Sequence, residues 1–206
     1  MGRPKQALIT REAAAKAALA AIDADGLDNF SLNAVAKSMG VKAPSLYYHF
    51  QDKAELLAEV ARLILAETPY VVLREGTWEE STIKLCIATR RALLKHPNAA
   101  PLILQFFPRN LLMEAYELAI IGYPHTRGLH MAILEGIEKL TFGSALFAAA
   151  AINAGVPSNP VVDPAVFPNL AQSVAQSLYD DEGNFEEALR MFLAGVRLRT
   201  QAQASA

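Results

Sequence analysis

Apolar residues recur every three or four positions along most of the chain, which is the spacing that places them on one face of an α-helix. In the first segment Ala14, Ala18 and Ile22 fall on one such face between Thr10 and Gly26. Threonine can cap the free amide groups at a helix start, and glycine accepts the left-handed turn at a helix end. Alternating runs of β-branched residues are nearly absent, so the sequence predicts an all-α fold.

The same reasoning divides the rest of the chain into helices separated by glycine and proline. Two short helices are predicted over 31–39 and 42–50, and a longer helix follows Asp52 to about Glu67. Further helices are predicted over 77–95, 99–107, 110–121, 127–153, 169–178 and 184–201. We expect residues 1–53 to form an N-terminal three-helix domain and residues 54–206 to form a larger helical domain.

Composition changes this picture only by excluding some classes of protein. With 52% apolar and 19% charged residues, the chain can bury a core and is too apolar for a disordered tail. Its single cysteine, Cys86, cannot form an internal disulfide, and the sequence starts without the apolar core of a secretory signal, so we expect a cytoplasmic protein. The longest uncharged stretch, 140–162, contains Asn153, Gly155 and Pro157, so its apolar part is too short to span a membrane.

Charge is distributed unevenly between the two predicted domains. The whole chain has a formal net charge of -2, but residues 1–53 carry a net +2 and the remaining residues carry -4. A basic domain on an acidic body suits local binding to phosphate groups, although a solvated helical surface would also account for a difference of this size.

Residues 31–50 have the spacing of a helix-turn-helix, with the turn at Gly40 and Val41. Two helices joined in this way can present the second helix to the major groove of DNA, although a plain helical hairpin has the same spacing. DNA binding is favoured because only Leu46 and Phe50 of the second helix form an apolar seam. Polar and aromatic side chains fill the rest of that helix, at Ser45, Tyr47, Tyr48 and His49.

Residues 30–37 read Phe-Ser-Leu-Asn-Ala-Val-Ala-Lys, and residues 40–50 read Gly-Val-Lys-Ala-Pro-Ser-Leu-Tyr-Tyr-His-Phe, followed by Asp52 and Lys53. This segment closely resembles the DNA-binding domain of the tetracycline-repressor (TetR) family. By that resemblance the positions that contact operator DNA are Ser31, Asn33, Tyr47, Tyr48, His49 and Lys53. The variable positions that read bases are, by the same resemblance, Lys42, Ala43, Pro44 and Ser45.

Side-chain chemistry suggests which of these positions read sequence. Asn33 can pair with the edge of adenine, and Lys42 and Ser45 can meet base edges or phosphates. The methyl group of Ala43 and the ring of Pro44 can touch a thymine methyl group.

Other positions are better suited to the DNA backbone. Tyr47, His49 and Lys53 carry donors that can bind phosphate, which fixes the position of a protein on DNA without reading sequence. Tyr48 has two interpretations of equal weight, since its ring can contact DNA or pack against the first helix.

A weaker resemblance to the tetracycline repressors themselves extends over residues 78–96, 140–143 and 167–170. It implies an effector-binding and dimerising domain, in which helices 127–153 and 184–201 form a four-helix bundle with those of a second copy. Two apolar stripes support a homodimer, although they would also fit a monomer core. The stripes consist of Phe142, Ala145, Leu146, Ala149 and Ile152, and of Leu189, Phe192, Leu193 and Val196.

The metal chemistry of the tetracycline repressors does not carry over to this chain. Pro69, Leu85, Ile103 and Phe147 stand where those repressors place histidine, asparagine, a magnesium-ligating histidine and glutamate. Isoleucine cannot ligate magnesium, so we expect no metal or cofactor and an apolar or aromatic effector. The predicted lining of the pocket is Leu85, Thr89, Ile103, Phe106, Phe107, Tyr116 and Phe147.

Together these features predict a ligand-responsive transcriptional regulator, a repressor released from a palindromic operator on double-stranded DNA by a small-molecule effector. Two alternatives stay open: an architectural DNA-binding protein without an effector, and a helical small-molecule carrier or enzyme. The sequence contains neither a glycine-rich phosphate loop nor a Gly-x-Ser-x-Gly motif, so we do not expect an enzyme.

Overall fold

The computed structural model describes residues 9–68, 76–106 and 127–204, together with residues 113, 116, 117, 120, 123 and 124 between the last two ranges. Every regular element in these ranges is helical, which confirms the all-α prediction. The helices are α1 (Arg11–Asp25), α2 (Leu32–Ser38), α3 (Ala43–Tyr47), α4 (Lys53–Ala66), α5 (Trp78–Leu94), α6 (Leu102–Gln105), α7 (His130–Ala154), α8 (Pro168–Ala175) and α9 (Asp181–Ala204).

Short polar side chains begin the helices where the sequence predicted a start. The hydroxyl of Thr10 accepts a hydrogen bond from the backbone N–H of residue 13 at 3.0 Å, and Asp52 accepts one from residue 55 at 2.8 Å. Thr77 and Glu80 form a reciprocal capping box at the start of α5. Gly26 ends α1 with φ 80°, a left-handed conformation that favours glycine.

Two helices in the second half differ from their predicted bounds. The helix predicted over 99–107 is limited to α6, because tight turns precede it at residues 99–101. The last helix begins earlier than predicted, where the carboxylate of Asp180 accepts the N–H of Gly183 at 2.8 Å. The helix predicted over 110–121 lies largely outside the described residues. None of the helices in the described ranges is long and apolar enough to cross a membrane.

The larger apolar core joins the N-terminal head, which we define as α1–α3, to the rest of the chain. Ile22, Leu46, Leu56 and Ile64 are fully or almost fully buried in it. The same core continues through α5 and α6 to Ala145 of α7. Helix α4 packs against α1 and also against α5 and α6, so the core runs across the domain boundary predicted at residues 53 and 54.

A second core lies between α5, α7 and α9, which we call the body helices. Leu189 and Leu193 of α9 pack there with Cys86 of α5. The close approach of α7 and α9 depends on Gly136, because an added Cβ would lie 2.4 Å from Cζ of Phe192.

A buried arginine also connects the body helices. Arg90 of α5 is only 3% exposed, and its Nε donates to Oγ of Ser144 in α7 at 2.9 Å. Its guanidinium also forms an ion pair with Asp181, the first residue of α9. A buried charge is stable only when it is paired and hydrogen-bonded, so these contacts fix α5 against the start of α9.

Candidate nucleic-acid interface

Helices α2 and α3 form a helix-turn-helix in which α3 is attached to the core by two side chains. Leu46 is 1% exposed and Phe50 is 2% exposed, which confirms the narrow apolar seam predicted for this segment. Gly40 has φ 69° in the turn, and the N–H of Val41 donates to the carbonyl of Ala36 at 2.9 Å. This turn therefore fixes the start of α3 relative to α2.

Two residues between Leu46 and Phe50 project aromatic rings into solvent. Tyr47 is 54% exposed and Tyr48 is 88% exposed. The ring of Tyr48 meets the ring of His49 edge-on, with the centroids 5.3 Å apart. Of the two interpretations of Tyr48, packing against the first helix is therefore wrong, because a ring that is 88% exposed is not covered by α1.

The other predicted contact positions lie along the same two helices. Asn33 on α2 and Lys42 and Pro44 at the start of α3 are exposed, while Ala43 and Ser45 are half-buried. Ser31 precedes α2, and its hydroxyl oxygen accepts the N–H of residue 34 at 3.2 Å. The structure thus places these side chains at the surface of the head, and their contacts with DNA stay a prediction.

Lys53 has a structural contact that the sequence did not indicate. Its Nζ donates to the carbonyl of Phe30 at 3.1 Å and lies 5.0 Å from the centroid of the Phe30 ring. This joins the start of α4 to the residue that precedes the N-cap of α2. A lysine ammonium has three N–H donors, so two are left for a phosphate.

Arg11 is the residue of this surface that sequence reasoning missed. Its guanidinium donates to the carbonyl of His49, stacks on the ring of Phe50 and lies 2.7 Å from Oε1 of Glu55. Hydrogen bonds from the N–H of Gln51 and from Arg11 lower the pKa of the Glu55 carboxyl. Arg11 therefore holds the end of α3 against the starts of α1 and α4.

The predicted pocket residues are only partly brought together. Ile103 is completely buried in the larger core and Phe106 packs against that core. The hydroxyl of Thr89 donates to the carbonyl of Leu85 on its own helix at 2.9 Å, and the hydroxyl of Tyr116 donates to a carboxylate oxygen of Glu138. Phe107 lies outside the described residues.

Phe147 does not line an interior pocket with these residues, so this prediction is wrong. Its side chain is 83% exposed, whereas Ala145 and Ala149 of the same helix are buried. Since successive residues of a helix are about 100° apart, a residue two positions from a buried one lies on the opposite side. Within the described residues, no group of three His, Cys, Asp or Glu side chains could hold a metal ion.

The two predicted dimer stripes are also divided differently by the structure. Ala145, Ala149, Leu189 and Leu193 are buried inside a single chain, as a monomer core requires. The large apolar side chains that α7 and α9 leave exposed are Met131, Phe147, Ile152, Met191 and Leu198. A second copy that packed on α7 and α9 would therefore meet these residues rather than the buried ones.

A helix-turn-helix head on a larger helical body is the arrangement expected of a DNA-binding transcriptional regulator. The profile of the family described as bacterial regulatory proteins, tetR family, matches residues 15–60. The class D tetracycline repressor of Escherichia coli is 24% identical over 205 residues, which cover 95% of this chain and 93% of the repressor. The class E repressor of Escherichia coli is 28% identical over 155 residues, 72% of each chain.

Solved structures of TetR-family proteins are similar to nearly the whole chain. A possible TetR family regulator from Streptomyces coelicolor A3(2) has a TM-score of 0.77 and 26% identity, over 92% of this chain and 99% of that chain. The Streptomyces coelicolor TetR family protein ActR in complex with (S)-DNPA has a TM-score of 0.75 and 25% identity, over 93% and 98%. Residues 15–60 thus match the TetR-family DNA-binding domain, and nearly the whole chain is similar to TetR-family transcriptional regulators.

Proposed function

We propose that the chain is a homodimeric repressor that binds a palindromic operator through α2, α3 and the start of α4. The observation that carries this proposal is the division of α3 into two sides. Leu46 and Phe50 are buried on one side, while Tyr47 and Tyr48 expose large rings on the other. Core packing does not explain these exposed rings, because they bury little surface within the chain. The repressor identity of the class D and class E relatives supports the same role.

The proposed contacts separate reading from positioning. Base edges in the major groove are the proposed contacts of exposed Asn33 and of residues 42–45 at the start of α3. Tyr47, His49 and the two remaining N–H donors of Lys53 are offered to phosphates. Exposed Tyr48 and the Ser31 hydroxyl complete the proposed interface.

Dimerisation is proposed through α7 and α9, because these long helices leave large apolar side chains in solvent. Phe147 is 83% exposed, and Met191 and Leu198 lie one heptad apart on α9 with 65% and 66% exposure. An obligate interface of this kind buries on the order of 2,000 Å² or more. A two-fold dimer presents two heads, and recognition helices about 34–36 Å apart match successive major grooves.

The effector is proposed to bind the body without a metal. Solved ActR carries (S)-DNPA in one structure and actinorhodin in another, so a related fold holds small organic molecules. In this chain the proposed lining is the predicted set without Phe147, namely Leu85, Thr89, Ile103, Phe106, Phe107 and Tyr116. An effector that favours another head spacing releases DNA in proportion to that preference.

The proposal is tested by selecting bound sequences from a random duplex pool and measuring binding to the recovered site. We expect the recovered site to be a palindrome that the dimer binds. We also propose that the protein acts in the cytoplasm. Tyr48→Ala should weaken binding, while Lys139→Ala, an exposed change on α7 outside the head, should not. Failure to enrich any sequence at low salt would overturn DNA binding and favour the carrier alternative.

A further inference from the structure

Residues 95–98, in the loop between α5 and α6, contact the ends of two helices at the base of the N-terminal head. His96 lies between two carboxylates, with Nδ1 2.6 Å from Oδ2 of Asp23 on α1 and Nε2 3.3 Å from Oε1 of Glu67 beyond α4. Lys95 adds an ion pair to the second oxygen of Glu67 at 2.9 Å. One histidine therefore connects this loop to both α1 and α4.

The same loop is also attached to the body. The side chain of Asn153, near the end of α7, donates to the carbonyl of Pro97 at 3.1 Å. Asn98 donates to the backbone carbonyl of Asp23 at 3.0 Å. Polar contacts thus run from α7 through the loop to the head. His96 contributes an imidazole ring to them, and this ring can be neutral or protonated.

We propose that His96 is a positioning residue whose charge sets how firmly the body orients the N-terminal head. The inference deepens the proposed function, because head orientation is what operator binding would require. The contacts themselves involve neither DNA nor a second copy of the chain.

The chemistry of imidazole makes the contacts at this position depend on protonation. A neutral ring has one N–H and can donate to one carboxylate, whereas the protonated ring has two and can donate to both. A positively charged partner is most important at Asp23. The Oδ1 atom of this carboxylate is buried and has no hydrogen-bond partner among the described residues. The charged groups that face the ring are Asp23 from α1, Glu67 at the end of α4 and Lys95 from its own loop.

The direction of the pH effect follows from these groups. Lys95 and then His96 hold the pKa of the Glu67 carboxyl below its usual range, so Glu67 stays charged throughout the neutral pH range. Both contacts to the ring are therefore present when the imidazole is protonated, and one is lost as the pH rises. We expect the head to be held more firmly at pH 6 than at pH 8.

The test measures the distance between head and body inside one chain. Spin labels are attached to Lys37→Cys on α2 and Lys139→Cys on α7, both exposed, and labelled chains are diluted in unlabelled protein. Buried Cys86 stays unlabelled in the folded protein. In the otherwise unchanged protein the distance distribution should widen between pH 6 and pH 8.

The variants distinguish the effect of the His96 ring from the effect of the charged residues around it. His96→Gln should abolish the pH response, and Asp23→Asn provides a second test if that protein fails to fold. Lys95→Gln is the matched control, because it removes a charge from the same loop but leaves the ring, so its pH response should remain. A pH-independent distribution in the parent, or a response that survives in both His96→Gln and Asp23→Asn, would overturn the proposal. Since the measurement uses no DNA, its outcome is independent of whether operator binding is confirmed.

Discussion

The guanidinium of Arg11 stacks on the ring of Phe50, with its central carbon 4.5 Å from the ring centroid. A cation over an aromatic ring contributes about 0.5–1 kcal/mol when the cation is exposed, as Arg11 is, and Arg11 also donates to the carbonyl of His49. Arg11→Gln should lower the melting temperature and weaken operator binding, because the end of α3 loses its contact with α1. Lys16→Gln, which removes an exposed ion pair from the same helix, should change neither. Equal effects from the two variants would show that Arg11 acts only through net charge.

Tyr48 should contribute to DNA binding without contributing to stability. Because its ring is 88% exposed, Tyr48→Ala should leave the melting temperature unchanged. Loss of a hydrogen bond from its hydroxyl to DNA would weaken binding by about 1.5 kcal/mol, roughly tenfold. The neighbouring Leu46→Ala should instead lower the free energy of unfolding by about 2–5 kcal/mol, because Leu46 is buried. Fluorescence anisotropy and chemical denaturation together distinguish the two.

The dimer interface is tested by a pair of substitutions to glutamate. Phe147→Glu should give a folded monomer, because this exposed ring belongs to the proposed interface. Leu193→Glu should instead unfold the chain, since Leu193 is 2% exposed inside a single chain and a buried carboxylate has no partner there. Analytical ultracentrifugation and circular dichroism give the two readouts. A Phe147→Glu protein that still sediments as a dimer would place the interface elsewhere.

Two glycines of α7 should respond oppositely to alanine. Gly136→Ala places a Cβ against Phe192 and should lower the free energy of unfolding by about 1–3 kcal/mol. At Gly143 an added Cβ meets nothing within 4 Å, so Gly143→Ala should stabilise the monomer by up to about 1 kcal/mol through helix propensity. Urea denaturation measures both. A loss at Gly143 equal to that at Gly136 would point to a general intolerance of α7 rather than to contact with Phe192.

Burial should make the Cys86 thiol unreactive at neutral pH. Burial raises the pKa of this thiol from 9.0 to about 11, so the folded state favours the protonated form. The stability that this contributes is complete below the unfolded pKa and is lost as the pH rises through about 11. Alkylation by iodoacetamide at pH 8 should therefore require unfolding, and should become fast only in denaturant. Rapid labelling of the native protein at pH 8 would contradict this burial.

The sequence was sufficient for features that depend on neighbouring residues. Thr10, Asp52 and Thr77 start helices as predicted, and Leu46 and Phe50 lie four positions apart on one buried seam. Each of these follows from spacing within one turn of helix.

The sequence was not sufficient for features that depend on how helices meet. Arg11 and His49 are 38 positions apart, and Arg90 and Asp181 are 91 apart, so no local pattern indicates their contacts. Leu193 and Phe147 were misplaced for a related reason. Periodicity shows that a helix has an apolar face, but it does not show whether the chain itself or a second copy covers that face.

Helix α4 has a practical consequence for building chimeric regulators. Its residues pack against α1 on one side and against α5 and α6 on the other, within one continuous core. A foreign DNA-binding segment joined at residue 53 would meet an α4 surface shaped for a different α1, and the mismatch would fall on buried Leu56, Val60 and Ile64. Retargeting this protein to a new site therefore requires exchanging only α2 and α3, or exchanging α1 together with the α4 residues that face it.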